Sequence, residues 1–151
     1  MPAYDLGRDE ISQILADEWV VRVAFNDGES LYLIPLGYVW LRSSFCGVTE
    51  AGQKTRIADQ NPLVAFQVDT SSATGLFDWR SVTGEGRFRI VANDEAQQEV
   101  LSGLQPVIAQ APSWWQREQA PRLASGELKV WNITPTRIHG RRFGPSEDTS
   151  R

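Results

Sequence analysis

The segment from Trp79 to Val91 limits the fold of this chain more than any other, because it is one long strand pattern with two glycines inside it. One parity of the segment is apolar, at Val82, Phe88 and Ile90. The other parity is mostly polar or charged, so the period of two predicts a β-strand with one buried face. Gly84 and Gly86 fall on the apolar parity, where glycine often marks a bend or a close backbone approach. A long strand bent in this way is typical of a β-barrel.

Period-two patterns predict the other strands as well. They cover Trp19–Phe25, Glu29–Tyr38, Phe45–Val48, Leu63–Val68 and a last strand broken at Pro135 into Leu128–Ile133 and Thr136–Phe143. The turn signal Asn26-Asp27-Gly28 joins the first two as a hairpin. Pro35 lacks a backbone N–H and therefore implies an edge, a bulge or the end of ladder pairing. The total is about six strands.

Apolar residues at helical spacing predict a helix from Asp9 to Glu18, and a shorter one from Thr55 to Gln60. A third helix begins near Asp94, and its buried stripe is Ala96, Val100, Leu101 and Leu104. Residues 105–127 contain three prolines and are expected to form a loop with a short helix near residues 113–119. The fold class is therefore α+β, mainly β, with an antiparallel barrel and flanking helices.

Length and charge narrow the class of protein. The chain has 151 residues and a formal net charge of −4. This length suits one domain spanning residues 1–151, with residues 142–151 expected as a frayed tail. The acidic balance argues against a nucleic-acid or membrane-surface binder. The sequence shows no signal peptide and no apolar run of membrane-spanning length, so the cytoplasm is the expected location.

The chain holds one cysteine, Cys46, and one histidine, His139. Cys46 lies in an apolar run without a partner for an internal disulfide, so we expect it to be buried. These counts exclude a zinc site built from His and Cys, and no metal is predicted. The six tryptophans are more than such a core usually needs, which places some of them at a ligand site or a subunit interface.

The stretch from Phe45 to Val68 contains a candidate anion site. A strand leads through the loop 49–54 into the start of a helix, and the loop carries Gly52 and Lys54. Free N–H groups of a first helical turn and the helix dipole favour a phosphate, and Lys54 adds a full positive charge. A solvated turn between two strands is the alternative interpretation of the same residues.

The order of the motifs resembles a known family. IPLGYVW, the glycine-lysine loop, NPLVAFQV, WRSVTGEGRFRIV and KVWNITPTRIHGR follow one another as in the FMN-binding split-barrel proteins. More narrowly, the chain is similar to the pyridoxamine 5′-phosphate oxidase-like group from Ile11 to Arg141. The resemblance implies a six-stranded antiparallel split β-barrel and a homodimer with FMN in clefts between the subunits. It also implies a flavoprotein, an FMN-dependent oxidoreductase acting on an unknown small molecule.

Individual positions match the family's cofactor contacts. Lys54, with Gln53 beside it, matches the lysine on the FMN phosphate, and Ser81 matches the residue that faces the flavin. Trp131 and Arg141 keep the spacing of two residues that reach the partner subunit's FMN. The backbone implied to run along the isoalloxazine ring is that of Leu33, Ile34, Pro35 and Leu36, and the residues implied to line the cofactor are Gly47 and Val48. Arg137 and His139 match oxidase positions that hold the substrate's phosphate and pyridoxine ring.

The chain also departs from the family. Gly47 stands where many relatives of the nitroimidazole-reductase-like branch carry a histidine, which argues against that activity. Val48 and Gly52 replace hydroxyl-bearing donors of the phosphate loop. The remaining donors are backbone N–H groups, Lys54, Thr49 and Arg56. The chain is shorter than a true pyridoxamine phosphate oxidase and lacks most of its substrate-phosphate cluster, so we do not assign that enzyme.

Two other functions fit the same fold. A reductase using the deazaflavin F420 would need basic residues along the groove, and the candidates are Arg22, Arg42, Arg56 and Arg80. A non-catalytic module holding flavin or haem would have His139 as its haem ligand. The pair Trp114-Trp115 is interpreted either as a lid over the flavin or as part of a dimer interface.

Overall fold

The computed structural model of the chain describes residues 3–145. In chain order its elements are β1 (Ala3–Asp5), α1 (Arg8–Asp17), β2 (Val20–Asn26), β3 (Leu31–Gly37), β4 (Val39–Leu41), β5 (Ser44–Glu50), α2 (Gln53–Gln60), β6 (Leu63–Asp69), α3 (Ser71–Thr74), β7 (Trp79–Ile90), α4 (Asp94–Ile108), α5 (Ser113–Glu118), α6 (Ala120–Ala124) and β8 (Leu128–Phe143).

The strands form one antiparallel sheet that curls into a split barrel with helices on its flanks, as the sequence predicts. The strand order is β3-β2-β6-β7-β8-β5-β4, and β1 pairs with β8. β3 is an edge strand of this path, which explains how it accommodates Pro35. The described sheet has eight strands rather than six. The two additional strands, β1 and β4, are three residues long and too short to show a period.

β7 and β8 are the longest strands of the barrel, and they pair with each other along the whole of β7. β7 carries both glycines, and a Cβ added at Gly84 would lie 2.6 Å from the ring of Phe66, inside the barrel. The prediction that Pro135 breaks the last strand is wrong, because β8 runs without interruption from Leu128 to Phe143. Pro135 instead lies at a register shift, where Thr136 is the extra residue between two paired positions. A bulge absorbs the missing N–H and bends the strand.

The barrel interior is the main core. Trp131, Phe25, Phe45 and Phe88 are among its largest fully buried side chains. Phe88 stacks on Trp131 with ring centroids 5.6 Å apart, and its edge meets Phe25 at 5.2 Å. These contacts fix the positions of β2, β7 and β8 relative to one another.

α1 packs Ile14 and Leu15 against the barrel core. The hydroxyl of the buried Tyr38 donates a 2.8 Å hydrogen bond to the Leu15 carbonyl and so fixes α1 to the start of β4. A second, smaller core lies under α4 and includes Val100, Leu104 and Cys46, which is buried as expected. The two cores lie on opposite sides of β5, because alternate residues of a strand face opposite ways.

Several boundaries differ from the predictions, most of all in the second half of the chain. α4 begins after the N-cap Asn93, whose side chain accepts from the Ala96 N–H, and it continues through Pro106 to Ile108. The expected loop 105–127 therefore contains the end of α4 as well as α5 and α6. β8 extends into the expected tail as far as Phe143, and residues 146–151 of that tail lie outside the described part. Between residues 3 and 145, no helix is long and apolar enough to span a membrane.

Candidate functional site

The start of α2 offers backbone donors to an anion. The Gly52 N–H donates to Thr55 Oγ1 at 2.8 Å, and the Thr55 hydroxyl donates back to the Gly52 carbonyl at 2.8 Å. The first helical backbone bond runs from the Arg56 N–H to Gly52 O. The N–H groups of Gln53 and Lys54 therefore precede the helical ladder and point out of the helix start. This is the geometry that favours a phosphate.

Lys54 lies beside these donors and is half-buried. Burial lowers the pKa of Lys54, and the charge of Glu50 partly offsets that effect. The Glu50 carboxylate forms an ion pair with Arg122, which also binds Glu127. Partial burial makes the ammonium group costly to leave unpaired, so an anion at this position would be favourable.

A second group of predicted residues lies on the outer face of the sheet, which is the exposed side of β2, β3, β6, β7 and β8. Ser81 pairs with Asp69 on β6 and with Arg141 on β8. Ser81 and Arg141 line a small cavity of about 170 Å³ together with Ala3 and the stacked rings of Trp79 and Phe143. The structure thus brings two predicted cofactor residues together.

Asp5 of β1 lies near Arg141 and near one further predicted residue, His139. His139 Nε2 lies 3.4 Å from Asp5 Oδ1, and Arg141 Nε lies 4.0 Å from the same oxygen. Arg137 is exposed two residues earlier in β8 and lies opposite Glu85. The predicted substrate residues are therefore on the outer face, and carboxylate-bearing residues neighbour both of them.

A polar row crosses the outer face beside this group. Arg22 lies 3.5 Å from Asp69, and Gln67 donates to the same carboxylate at 2.8 Å. The Ser71 N–H and hydroxyl also donate to Asp69, and these hydrogen bonds together with Arg22 outweigh burial and lower the pKa of that carboxyl. Gln67 and Asp69 are not among the predicted residues, although their place at the end of an alternating strand is a usable signal.

The four predicted ring residues of β3 divide between two faces. Leu33 and Pro35 are exposed on the outer face, and Leu33 is 69% exposed. Ile34 and Leu36 pack against the barrel core instead. Only the first pair presents side chains to a ligand on this face, because strand residues alternate.

Gly47 and Trp131 lie opposite each other in the β5–β8 ladder, deep in the barrel. Trp131 is fully buried, and its Nε1 has no hydrogen-bond partner among the described residues. The structure therefore gives Trp131 a core position, from which it does not reach the outer face. Its contact with a cofactor stays a prediction.

The two predicted cofactor residues of β5, Gly47 and Val48, line a cavity of about 650 Å³. One wall is the β3–β4 junction around Gly37, and the other is the last turn of α4 with Trp115. The α4 wall is not among the predicted features of the site. Its residues Leu104, Val107 and Ile108 have the spacing of one helix face, but Pro106 between them was interpreted as a loop signal.

The α2 start and the Ser81–Arg141 pair lie toward opposite ends of the barrel. Ser81 is near the beginning of β7. Lys54 is close enough to Glu50 to feel its charge, and Glu50 pairs with Leu128, the first residue of β8. Leu128 lies beyond the point where β7 stops pairing with β8. The nine residue steps from Ser81 to the end of β7 span about 30 Å at about 3.3 Å per residue. A single phosphate cannot contact both sets within one chain.

Within the described residues, no group of three or more His, Cys, Asp or Glu side chains is placed to hold a metal ion. The basic residues suggested for an F420 groove are also dispersed. Arg22 pairs with Asp69, Arg42 pairs with Glu99 beside α4, and Arg80 lines a separate small cavity with acidic residues of α1. The arrangement does not form one basic groove.

A half-open antiparallel barrel with flanking helices defines a split-barrel protein. A family model described as pyridoxamine 5′-phosphate oxidase matches residues 7–142. The chain therefore belongs to the pyridoxamine 5′-phosphate oxidase-like family, as the motif order suggests. No curated protein matches it closely enough to count as a relative.

Solved structures share the fold at low identity. An FAD-binding protein from Mesorhizobium loti is 22% identical with a TM-score of 0.74, and the match covers 94% of this chain and 99% of that one. An FAD-binding protein from Mycobacterium smegmatis is 19% identical with a TM-score of 0.66, covering 93% and 99%. The haem storage protein HutZ from Vibrio cholerae is 15% identical with a TM-score of 0.65, covering 91% and 96%.

Proposed function

We propose that this chain is a flavoprotein that binds FMN and acts as an oxidoreductase on a small molecule in the cytoplasm. The strongest support is the start of α2, where backbone N–H groups and a half-buried lysine converge at Gly52–Lys54. A phosphate there would gain charge-assisted hydrogen bonds and would compensate Lys54 for its lost hydration. The flavin supplies hydride chemistry when bound, and the protein supplies binding and orientation.

The comparisons support a flavin in general terms. The family contains an oxidase, and two of the structural neighbours are described as FAD-binding. FMN suits the site better than a dinucleotide, because one terminal phosphate matches one helix start. The exposed Leu33 and Pro35 provide an apolar surface for the ring, and Gln67 beside Arg22 provides polar groups for its edge.

We further propose a homodimer in which two chains complete each cofactor site. Lys54 and the Ser81–Arg141 pair are too far apart to contact one FMN within a chain. In this dimer the α2 start of one copy lies near Arg141 of the other, and the two-fold axis repeats that contact so that two equivalent sites form. The exposed apolar residues Leu31 and Leu33 supply contact area on the same face.

FMN titration followed by flavin fluorescence tests the cofactor. Wild-type protein should quench the flavin, and Lys54→Ala should bind about 10–100-fold more weakly, the value of one charge-assisted hydrogen bond. The matched control is Lys129→Ala, which removes the exposed lysine of β8 and should bind FMN normally. Absence of binding to the wild type, or equal loss in both variants, would reject the phosphate site.

Mixed dimers test the shared site. Lys54→Ala and Arg141→Ala homodimers should each bind FMN weakly, whereas co-expressed mixed dimers should recover one intact site out of two. Each mixed dimer should then bind about one FMN tightly, because one of its two sites keeps both Lys54 and Arg141. A monomer in light scattering, or no recovery in the mixture, would contradict the shared arrangement.

Haem binding is the second candidate, because His139 is on the exposed face with 56% of its side chain accessible. HutZ, a haem storage protein, has the same fold. A Soret band on adding haem that disappears in His139→Ala, while FMN does not bind, would favour this function over the flavoprotein. A reductase using F420 is less well supported, since the arginines it requires are dispersed.

A further inference from the structure

The cavity of about 650 Å³ between α4 and the β3–β4 junction has a lining without charge. None of the fourteen described residues around it is an Asp, Glu, Lys, Arg or His. Tyr38 belongs to the barrel core, where its hydroxyl is already bound to the Leu15 carbonyl. Burial raises the pKa of Tyr38, so this residue also stays neutral.

The size of the cavity is that of a small-molecule site. Pockets for ligands of drug size have volumes of about 300–1,000 Å³ and are lined mainly by apolar and aromatic groups. Here the aromatic side chains are Trp19 and Trp115, at different points of the wall. The polar groups are few: the Gln110 amide and the two indole N–H groups.

The missing charge limits what can enter. A phosphate, sulfonate or carboxylate would lose its hydration here without meeting a cation, which is strongly unfavourable. The predicted residues for a substrate phosphate, Arg137 and His139, lie elsewhere, on the outer face of β8. A phosphorylated pyridine substrate therefore does not suit this cavity.

We propose that the cavity binds an uncharged, aromatic small molecule and that this molecule class is the substrate of the flavoprotein. The binding part stands on the cavity alone, and the substrate part rests on the proposed function. Gly47 and Val48, which the family resemblance implies line the cofactor, form part of the cavity wall, so a molecule inside would lie beside the cofactor position.

Gly37 gives a way to close the cavity without disturbing the fold. A Cβ added there would meet only the Trp19 carbonyl oxygen, at 4.0 Å. A phenylalanine at this position would therefore project into open space at the cavity wall. Gly7, before α1, is the matched control, because a Cβ there meets nothing within 4 Å and Gly7 does not line the cavity.

The experiment compares two fluorescent probes with the same ring system. N-phenyl-1-naphthylamine is neutral, and 8-anilino-1-naphthalenesulfonate adds one sulfonate. Without any flavin, the neutral probe should bind the full chain saturably and the sulfonate at least ten times more weakly. Gly37→Phe should weaken the neutral probe at least tenfold, and Gly7→Phe should leave it unchanged.

Three results would overturn the proposal. The first is a lack of saturable binding of the neutral probe, which is the result expected when a second copy of the chain covers the cavity. The second is equal binding of both probes. The third is unchanged binding of the neutral probe in Gly37→Phe. Thermal unfolding of both variants identifies any loss that comes from misfolding. An FMN titration of Gly37→Phe separates the two proposals, because failure of the cavity leaves FMN binding intact, whereas failure of the flavoprotein leaves probe binding intact.

Discussion

Gly47 and Trp131 are cross-strand partners, and a Cβ added to Gly47 would lie 2.8 Å from Cζ2 of the indole. The same Cβ would lie 2.8 Å from the Gly37 carbonyl oxygen. The glycine is thus a packing requirement of the barrel interior. Histidine, the residue of some relatives, does not fit opposite a fully buried tryptophan.

We expect Gly47→Ala to destabilise the protein by about 1–3 kcal/mol, because the new methyl group must displace the indole or the backbone. Urea unfolding followed by tryptophan fluorescence measures the change. Gly37→Ala is the control, since a Cβ there has room, and it should alter stability by less than about 0.5 kcal/mol. Equal stability of Gly47→Ala and wild type would show that the barrel adjusts freely.

Thr55→Val should weaken both α2 and the binding of FMN. The Thr55 hydroxyl accepts from the Gly52 N–H and donates to the Gly52 carbonyl. Its loss should cost about 1 kcal/mol of stability and leave the phosphate-binding turn less ordered. Calorimetry and FMN titration measure the two effects. Thr55→Ser keeps the hydroxyl and should restore both, and a failure to restore FMN binding would mean that the hydroxyl does not order the site.

The affinity for FMN should fall at high pH through Lys54. Burial holds its pKa below the ordinary value. The charged form binds phosphate, so affinity is full below the free-state pKa and declines as pH rises through it, before the ordinary lysine value of about 10.4. FMN titrations between about pH 7 and pH 10.5 follow the decline. Lys54→Arg stays charged across that range, and a parallel decline in this variant would assign the effect to another group.

Glu18→Gln should stabilise the protein at neutral pH. Burial raises the pKa of Glu18, and the charges of Asp69 and Asp17 add to that effect. The folded state therefore disfavours the ionised form at neutral pH, and this penalty disappears below the unfolded-state pKa of about 4.3. The Tm should rise on the order of 1–2 °C at pH 7 and not at about pH 3.5. Glu29→Gln, in the exposed hairpin, should change Tm at neither pH.

Much of the fold is predictable from local patterns. The glycine-bent period of β7 and the turn at Asn26-Asp27-Gly28 already define strands of a barrel, and the structure has both. Hydrophobic periodicity does not predict β1 and β4, because a strand of three residues is too short to show a period of two. Pro106 and Pro135 favour a break in the local pattern, because proline removes a backbone hydrogen bond. In the structure α4 continues through Pro106, and β8 accommodates Pro135 at a bulge.

The site is harder to predict than the fold. Lys54 and Thr55 follow from a local motif, since both depend on the start of one helix. The neighbours of Ser81, namely Asp69 and Arg141, depend on strand register, which a single sequence does not reveal. The large cavity depends on how α4 packs over β5, a tertiary contact with no signature in either segment.

Cys46 gives the protein an internal reporter. It is the only thiol of the chain, it is 4% exposed between β5 and α4, and burial raises its pKa to about 11. Thiolate reagents react with exposed, ionised cysteine, so the native state is protected twice over. The rate at which such a reagent labels the unmodified protein therefore reports how often α4 separates from the sheet. The opening of the helix that walls the large cavity can thus be timed without introducing a single mutation.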